Sequence, residues 1–70
     1  MNRETILEEL KKVNYPGLDK SIVDLKVVEE ISEEDGKFSI ILSMQNDEAY
    51  RILAERLYDL FHSNVDVKRK

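Results

Sequence analysis

His62 is the chain's single imidazole, and a general acid–base role for it would need a nucleophile or carboxylate brought close by the fold. It falls at the end of a predicted helix, where the helix dipole favours a protonated ring, so it reads as a helix-end residue. Serines 21, 32, 39, 43 and 63 show no recognisable arrangement with it. Glu29, Glu30, Glu33, Glu34 and Asp35 offer hard oxygen ligands of the kind that hold calcium or magnesium. Successive side chains on a strand point to opposite faces, however, so these carboxylates do not converge. Their spacing also lacks the calcium-loop pattern, and they read as a solvated tip. The chain has no cysteine, so it offers no thiolate nucleophile, no disulfide and no thiolate-held metal. Its two glycines, Gly17 and Gly36, make neither a phosphate-binding loop nor a Gly-x-x-Gly clamp for single-stranded RNA. Tyr15, Tyr50 and Tyr58 share no strand face on which bases could stack. The expectation is a chain that is not an enzyme, with no cofactor, no metal and no catalytic residue of its own.

What must position these residues is small. Seventy residues make a single domain, 1–70. A domain of this size buries only about 60% of the surface its unfolded chain exposes. Its apolar core must stabilise it alone. The hydrophobic fraction of 41% suits a folded domain. Charged residues make up 37% with a net charge of −4, so phosphate backbones repel the chain and nucleic-acid binding is not expected. No apolar run approaches the ~20 residues of a membrane span, and no signal-peptide core follows Met1. The expected setting is cytoplasmic, away from the membrane.

Hydrophobic periodicity predicts a helix over about Arg3–Val13, with Ile6, Leu7, Leu10 and Val13 on one face. Thr5 with Glu8 fits a capping box, and Asn2 is the alternative cap. Glu8 and Lys12 can pair one turn apart. Pro16 and Gly17 read as the end of this helix. Leu18–Leu25 reads as a loop with a turn, leading into a strand over about Lys26–Glu33. There Leu25, Val27 and Ile31 share a face and Val28 lies opposite, so the imperfect alternation suggests a bulge. Asp35-Gly36 predicts a type I′ hairpin turn, because both central residues need positive φ. A second strand follows over Lys37–Met44, with Phe38, Ile40, Leu42 and Met44 facing the helices. Asn46 should cap a second helix over about Asp47–His62. Its apolar stripe is Ala49, Ile52, Leu53, Leu57, Leu60 and Phe61. Val65 and Val67 form a short third strand before the basic residues Lys68, Arg69 and Lys70, which read as a tail or the start of a linker. The expected fold is α+β, a two-layer α-β-β-α-β sandwich with two helices on one face of a three-stranded mixed sheet. The third strand should run parallel to the second.

The stretch from Val13 to Val28, VNYPGLDKSIVDLKVV, resembles a family signature. That family is the PaaD/SufT-type iron–sulfur assembly domain, which also forms the N-terminal domain of Mrp-type P-loop ATPases. Pro16, Leu18, Ile22, Val23, Asp24, Leu25 and Val28 match its motif without a gap. Tyr15 stands where the family has aspartate, Gly17 where it has glutamate, and Lys26 where it has glycine. After the second strand the family commonly carries Thr-x-Pro-x-Cys-Pro. Here Ser43-Met44-Gln45-Asn46-Asp47 occupies that place, without a thiol.

The resemblance implies a site where the Pro16–Asp24 loop meets the connection into the second helix. In this chain the candidates there are Asp24, Ser43, Asn46 and Asp47. Asp47 and Glu48 already compensate the positive helix end, so the expected surface is a polar recognition patch and not an anion pocket. The implied function is a non-catalytic accessory or protein-interaction domain of iron–sulfur cluster assembly or carriage. The implied partner is a protein such as a P-loop ATPase of the Mrp type. The alternative is a KH-like single-stranded nucleic-acid-binding module, which the charge and the missing clamp disfavour.

Overall fold

The computed structural model describes residues 2–70. Its elements are α1 (Arg3–Leu10), β1 (Val28–Glu34), β2 (Lys37–Leu42), α2 (Asp47–Leu60) and β3 (Val65–Arg69). The sheet order is β1-β2-β3, with β1 antiparallel and β3 parallel to the central β2. This is the expected α+β sandwich. Among the described residues no helix is long and apolar enough to cross a membrane.

Asn2, and not Thr5, caps α1. Its Oδ1 accepts from the Thr5 amide at 2.8 Å and from the Thr5 hydroxyl at 3.0 Å. The helix stops at Leu10, short of the expected Val13. The Lys12 and Val13 amides turn back to Glu9 and Leu10, three residues behind, and tighten the last turn. Ion pairs form between Glu8 and Lys11 (3.5 Å) and between Glu9 and Lys12 (3.7 Å), in place of the expected Glu8–Lys12 pair.

Pro16 and Gly17 therefore do not end α1. They lie in a closed loop held by an antiparallel bridge between Asn14 and Ser21. The turn expected within Leu18–Leu25 is a single helical turn, Ser21–Leu25. Ser21 Oγ accepts from the Val23 amide at 3.0 Å, and the Leu25 amide donates to the Ser21 carbonyl at 3.0 Å. The turn closes with Val27 N–H on Ile22 C=O (2.9 Å) and Lys26 N–H on Val23 C=O (3.1 Å). That is the Schellman pattern, which needs a left-handed residue, and Lys26 supplies it at φ +59°. Leu25 thus sits on this turn and not on β1, which begins at Val28.

The predicted irregularity in β1 is present as a register shift between Val28 and Glu30. Asp35 (φ +53°) and Gly36 (φ +80°) both adopt the positive φ that the hairpin turn requires. Strand β2 ends at Leu42, before Met44. Phe38, Ile40 and Leu42 face the helices and are buried, while Ser39 and Ile41 are half-buried on the other face. Ile6, Leu10, Ile22, Ile40, Leu42, Leu53 and Leu57 have no exposed surface and form the centre of the core.

Helix α2 ends at Leu60, not His62, in a second Schellman closure. Ser63 N–H bonds Tyr58 C=O (2.8 Å) and His62 N–H bonds Asp59 C=O (3.3 Å), with His62 at φ +54°. Two residues of the expected stripe, Ile52 and Leu60, remain more than a third exposed at its edges. The basic residues are not a tail. Lys68 and Arg69 pair with Ile41 and Leu42 in β3, and the Lys70 amide bonds Leu42 C=O at 2.9 Å.

Candidate functional site

The loop ahead of Ser21 is shaped by local chemistry. Leu18 N–H bonds Tyr15 C=O at 2.9 Å, with Pro16 second and Gly17 third in the turn. Gly17 has φ +83°, as a type II turn demands of its third residue. Tyr15 N–H also bonds Lys20 C=O at 2.9 Å, so the base of the loop is pinned. The turn carries Leu18 outward, and its side chain is 52% exposed.

Opposite this loop stands the N-terminus of α2. Asn46 Oδ1 accepts from the Ala49 amide at 2.9 Å and satisfies one free donor of the first turn. Between the two lies a shallow cleft of about 190 Å³ lined by Tyr15, Pro16, Asn46, Glu48, Ala49 and Ile52. Its lining is largely apolar, and its polar groups are the Tyr15 phenol, the Asn46 amide and the Glu48 carboxylate. This is the junction that the sequence resemblance points to, but it is less polar than expected.

Of the four residues proposed from sequence, only Asn46 lines the cleft. Asp24 lies exposed on the Ser21–Leu25 turn, with no hydrogen bond or ion pair among the described residues. Ser43 continues the β1–β2 ladder, its amide donating to Val27 C=O at 2.8 Å. Asp47 is engaged by the Arg69 guanidinium, which also lies 5.3 Å from the centre of the Tyr50 ring. Sequence reasoning missed Tyr15, Pro16 and Ile52 as part of this cleft, whereas Ala49 is buried as its place in the core stripe predicts. Tyr15 and Pro16 read as a helix stop, and Ile52 read as core stripe.

The other chemistry-bearing groups stay apart. His62 is exposed at the far end of α2. Among the described residues, no three His, Cys, Asp or Glu side chains gather as a metal cage. A cluster at the junction would want thiolates or comparable soft ligands. The cleft offers a phenol, an amide and a carboxylate instead, and the chain has no cysteine anywhere. The residues present do not fit an iron–sulfur cluster.

The family model described as iron–sulfur cluster assembly protein matches residues 3–58, more than half the chain. This chain belongs to the iron–sulfur cluster assembly family. No curated protein and no solved structure matches it. The family match runs from the start of α1 to Tyr58 in α2, so it contains the whole cleft. It also contains Lys26, whose left-handed backbone is the conformation that glycine, the usual residue there by the sequence resemblance, adopts without steric cost.

Proposed function

We propose that this domain is a non-catalytic accessory module of iron–sulfur cluster assembly, acting in the cytoplasm by docking on a partner protein. The cluster itself is cargo held by the partner's ligands. The partner best suited to the resemblance is a P-loop ATPase of the Mrp type, beside a domain of PaaD/SufT character. The observation that carries this reading is the partly exposed apolar lining of the Tyr15–Ile52 cleft, inside the segment that matches the assembly family. Exposed Leu18 belongs to the same Tyr15–Leu18 turn, and aromatic residues such as Tyr15 are enriched among the anchors of protein interfaces.

Area sets the scale. A standard interface takes about 800 Å² from each partner. The whole chain exposes 4828 Å², so such an interface would cover roughly a sixth of it. An interface of that size would extend beyond the cleft, and we infer that it takes in the exposed Leu18, Asp19 and Lys20 of the adjoining loop.

Chemical-shift mapping of the labelled chain with an Mrp-type ATPase tests the proposal. Shifts should cluster at Tyr15, Leu18, Asn46 and Ile52. Leu18→Asp and Ile52→Asp should each weaken binding by about tenfold, since each loses an apolar contact and buries a charge. Leu18 is 52% exposed, so Leu18→Asp should leave the melting temperature near that of the parent, whereas Ile52 is 37% exposed and Ile52→Asp should lower it modestly. Silence at the cleft with binding elsewhere would retire this reading.

A further inference from the structure

We propose that the outer edge of β1 is an acceptor site for an extended, lysine- or arginine-bearing polypeptide strand. The inference is independent of the docking cleft and starts from a difference between the sheet's two edges. On β3 the outward groups of Val67 are occupied by α2. Val67 N–H donates to the Tyr58 hydroxyl at 3.2 Å, and Val67 C=O accepts from the Tyr50 hydroxyl at 3.2 Å. No such cover exists on β1 among the described residues.

The hairpin fixes which β1 groups point outward. In a two-residue turn the flanking residues, here Glu34 and Lys37, exchange both backbone hydrogen bonds. Alternation then makes Ser32–Ser39 and Glu30–Ile41 bonded pairs. Ile31 and Glu33 are left with N–H and C=O directed away from β2. They lie along a groove of about 480 Å³ lined by Asn2, Arg3, Glu30, Ile31, Ser32, Glu33 and Phe38. A guest strand would add its own ladder there, as in β-strand addition generally.

Charge selects the guest. Lys70 pairs with Glu29 at 3.1 Å, but Glu30, Glu33, Glu34 and Asp35 make no ion pair among the described residues. A second copy of this strand would set glutamates against glutamates, which destabilises cross-strand neighbours. The same carboxylates attract a basic strand. Register gives its pattern. Guest residues beside Glu30, Ser32 and Glu34 stand on the open face of the sheet and suit Lys or Arg. Those beside Ile31 stand on the helix face, where the groove's two apolar lining residues, Ile31 and Phe38, lie near Arg3, and suit Val or Ile.

The test titrates the nitrogen-labelled full chain with a capped peptide, Lys-Val-Lys-Val-Lys-Val-Lys, and follows amide hydrogen exchange. Exchange at Ile31 and Glu33 should slow by about tenfold or more on saturation, because their free amides gain partners, while Val67 stays unchanged. The same peptide with alternate backbone nitrogens methylated keeps its charge but loses its donors, and it should give no protection. Glu30→Gln with Glu34→Gln should weaken the unmodified peptide by about fivefold. Leu18→Asp and Ile52→Asp should leave it unaffected. Equal binding of the methylated peptide, unprotected Ile31 and Glu33, perturbations at the Tyr15–Ile52 cleft instead, or no binding at all would each overturn the proposal.

Discussion

The Tyr58 hydroxyl accepts the amide hydrogen of Val67 at 3.2 Å, and Tyr50 donates to the carbonyl of the same residue. Two tyrosines eight positions apart on α2 thereby close the middle of an exposed strand edge, where unpaired backbone groups would invite another chain. Tyr50→Phe and Tyr58→Phe should each destabilise the fold by about 1 kcal/mol, the usual net worth of one hydrogen bond. The double variant should also speed amide exchange at Val67 and increase self-association on concentration. Unchanged exchange at Val67 would show that these bonds do not protect the edge.

Lys26 and His62 sit in left-handed backbone at the two Schellman closures, with φ +59° and +54°. A side chain there carries a steric cost of about 1–2 kcal/mol that glycine avoids. Lys26→Gly and His62→Gly should each raise stability by about 1 kcal/mol, less than that cost because glycine also loosens the unfolded chain. For a domain of this size that corresponds to a melting temperature about 4–8 °C higher. Gly17→Ala should do the reverse at φ +83°, although nothing within 4 Å of its Cα side would touch the added methyl. A lower melting temperature for both glycine variants would contradict the backbone argument.

Two turns, Asp35-Gly36 and Ser21–Leu25, show what the sequence revealed and what it concealed. Asp35-Gly36 declared its turn because the backbone requirement is local and only a few residue types meet it. The alternation Phe38, Ile40, Leu42 declared the buried face of β2 for the same reason. Ser21–Leu25 concealed its helical turn, because three apolar residues in five cannot distinguish a period of 3.6 from one of 2. Its closure by Lys26, where glycine is favoured, removed the usual stop signal. The candidate site was legible as a place but not as a set of residues. Asn46 announced itself as a cap, whereas Ile52 matched a core stripe and became surface only because α2 turns that edge away from the sheet. The pairing of Asp47 with Arg69 spans a crossover and has no sequence signal at all.

Leu53 is fully buried against the sheet. Leu53→Ala should cost about 2–5 kcal/mol, the range for leucine truncation in a packed core. A small domain holds only a few kcal/mol in reserve, so the variant should be largely unfolded at room temperature or melt far below the parent. Leu60→Ala, at an exposed edge of the same helix, is the matched control and should cost well under half as much, since less apolar surface is lost. Equal losses at the two positions would mean that the packing described for α2 is wrong.

Iron–sulfur reconstitution tests the proposed division of labour, in which this domain docks and a partner protein holds the cluster. The chain's sulfurs are the thioethers of Met1 and Met44, its one imidazole is His62, and it has no cysteine. Met44 is half-buried beside the core and His62 is exposed at the distal end of α2. Thioethers and carboxylates are weak ligands for cluster iron compared with thiolates. Anaerobic incubation of the purified monomer with ferrous iron and sulfide, followed by desalting, should therefore leave no stoichiometric iron, no acid-labile sulfide and no visible absorption bands. Repeating the incubation in the presence of an Mrp-type ATPase should place the cluster on the ATPase and leave this chain's amide spectrum changed only at the docking surface. A stable cluster on the isolated chain would overturn the proposal of a purely accessory role.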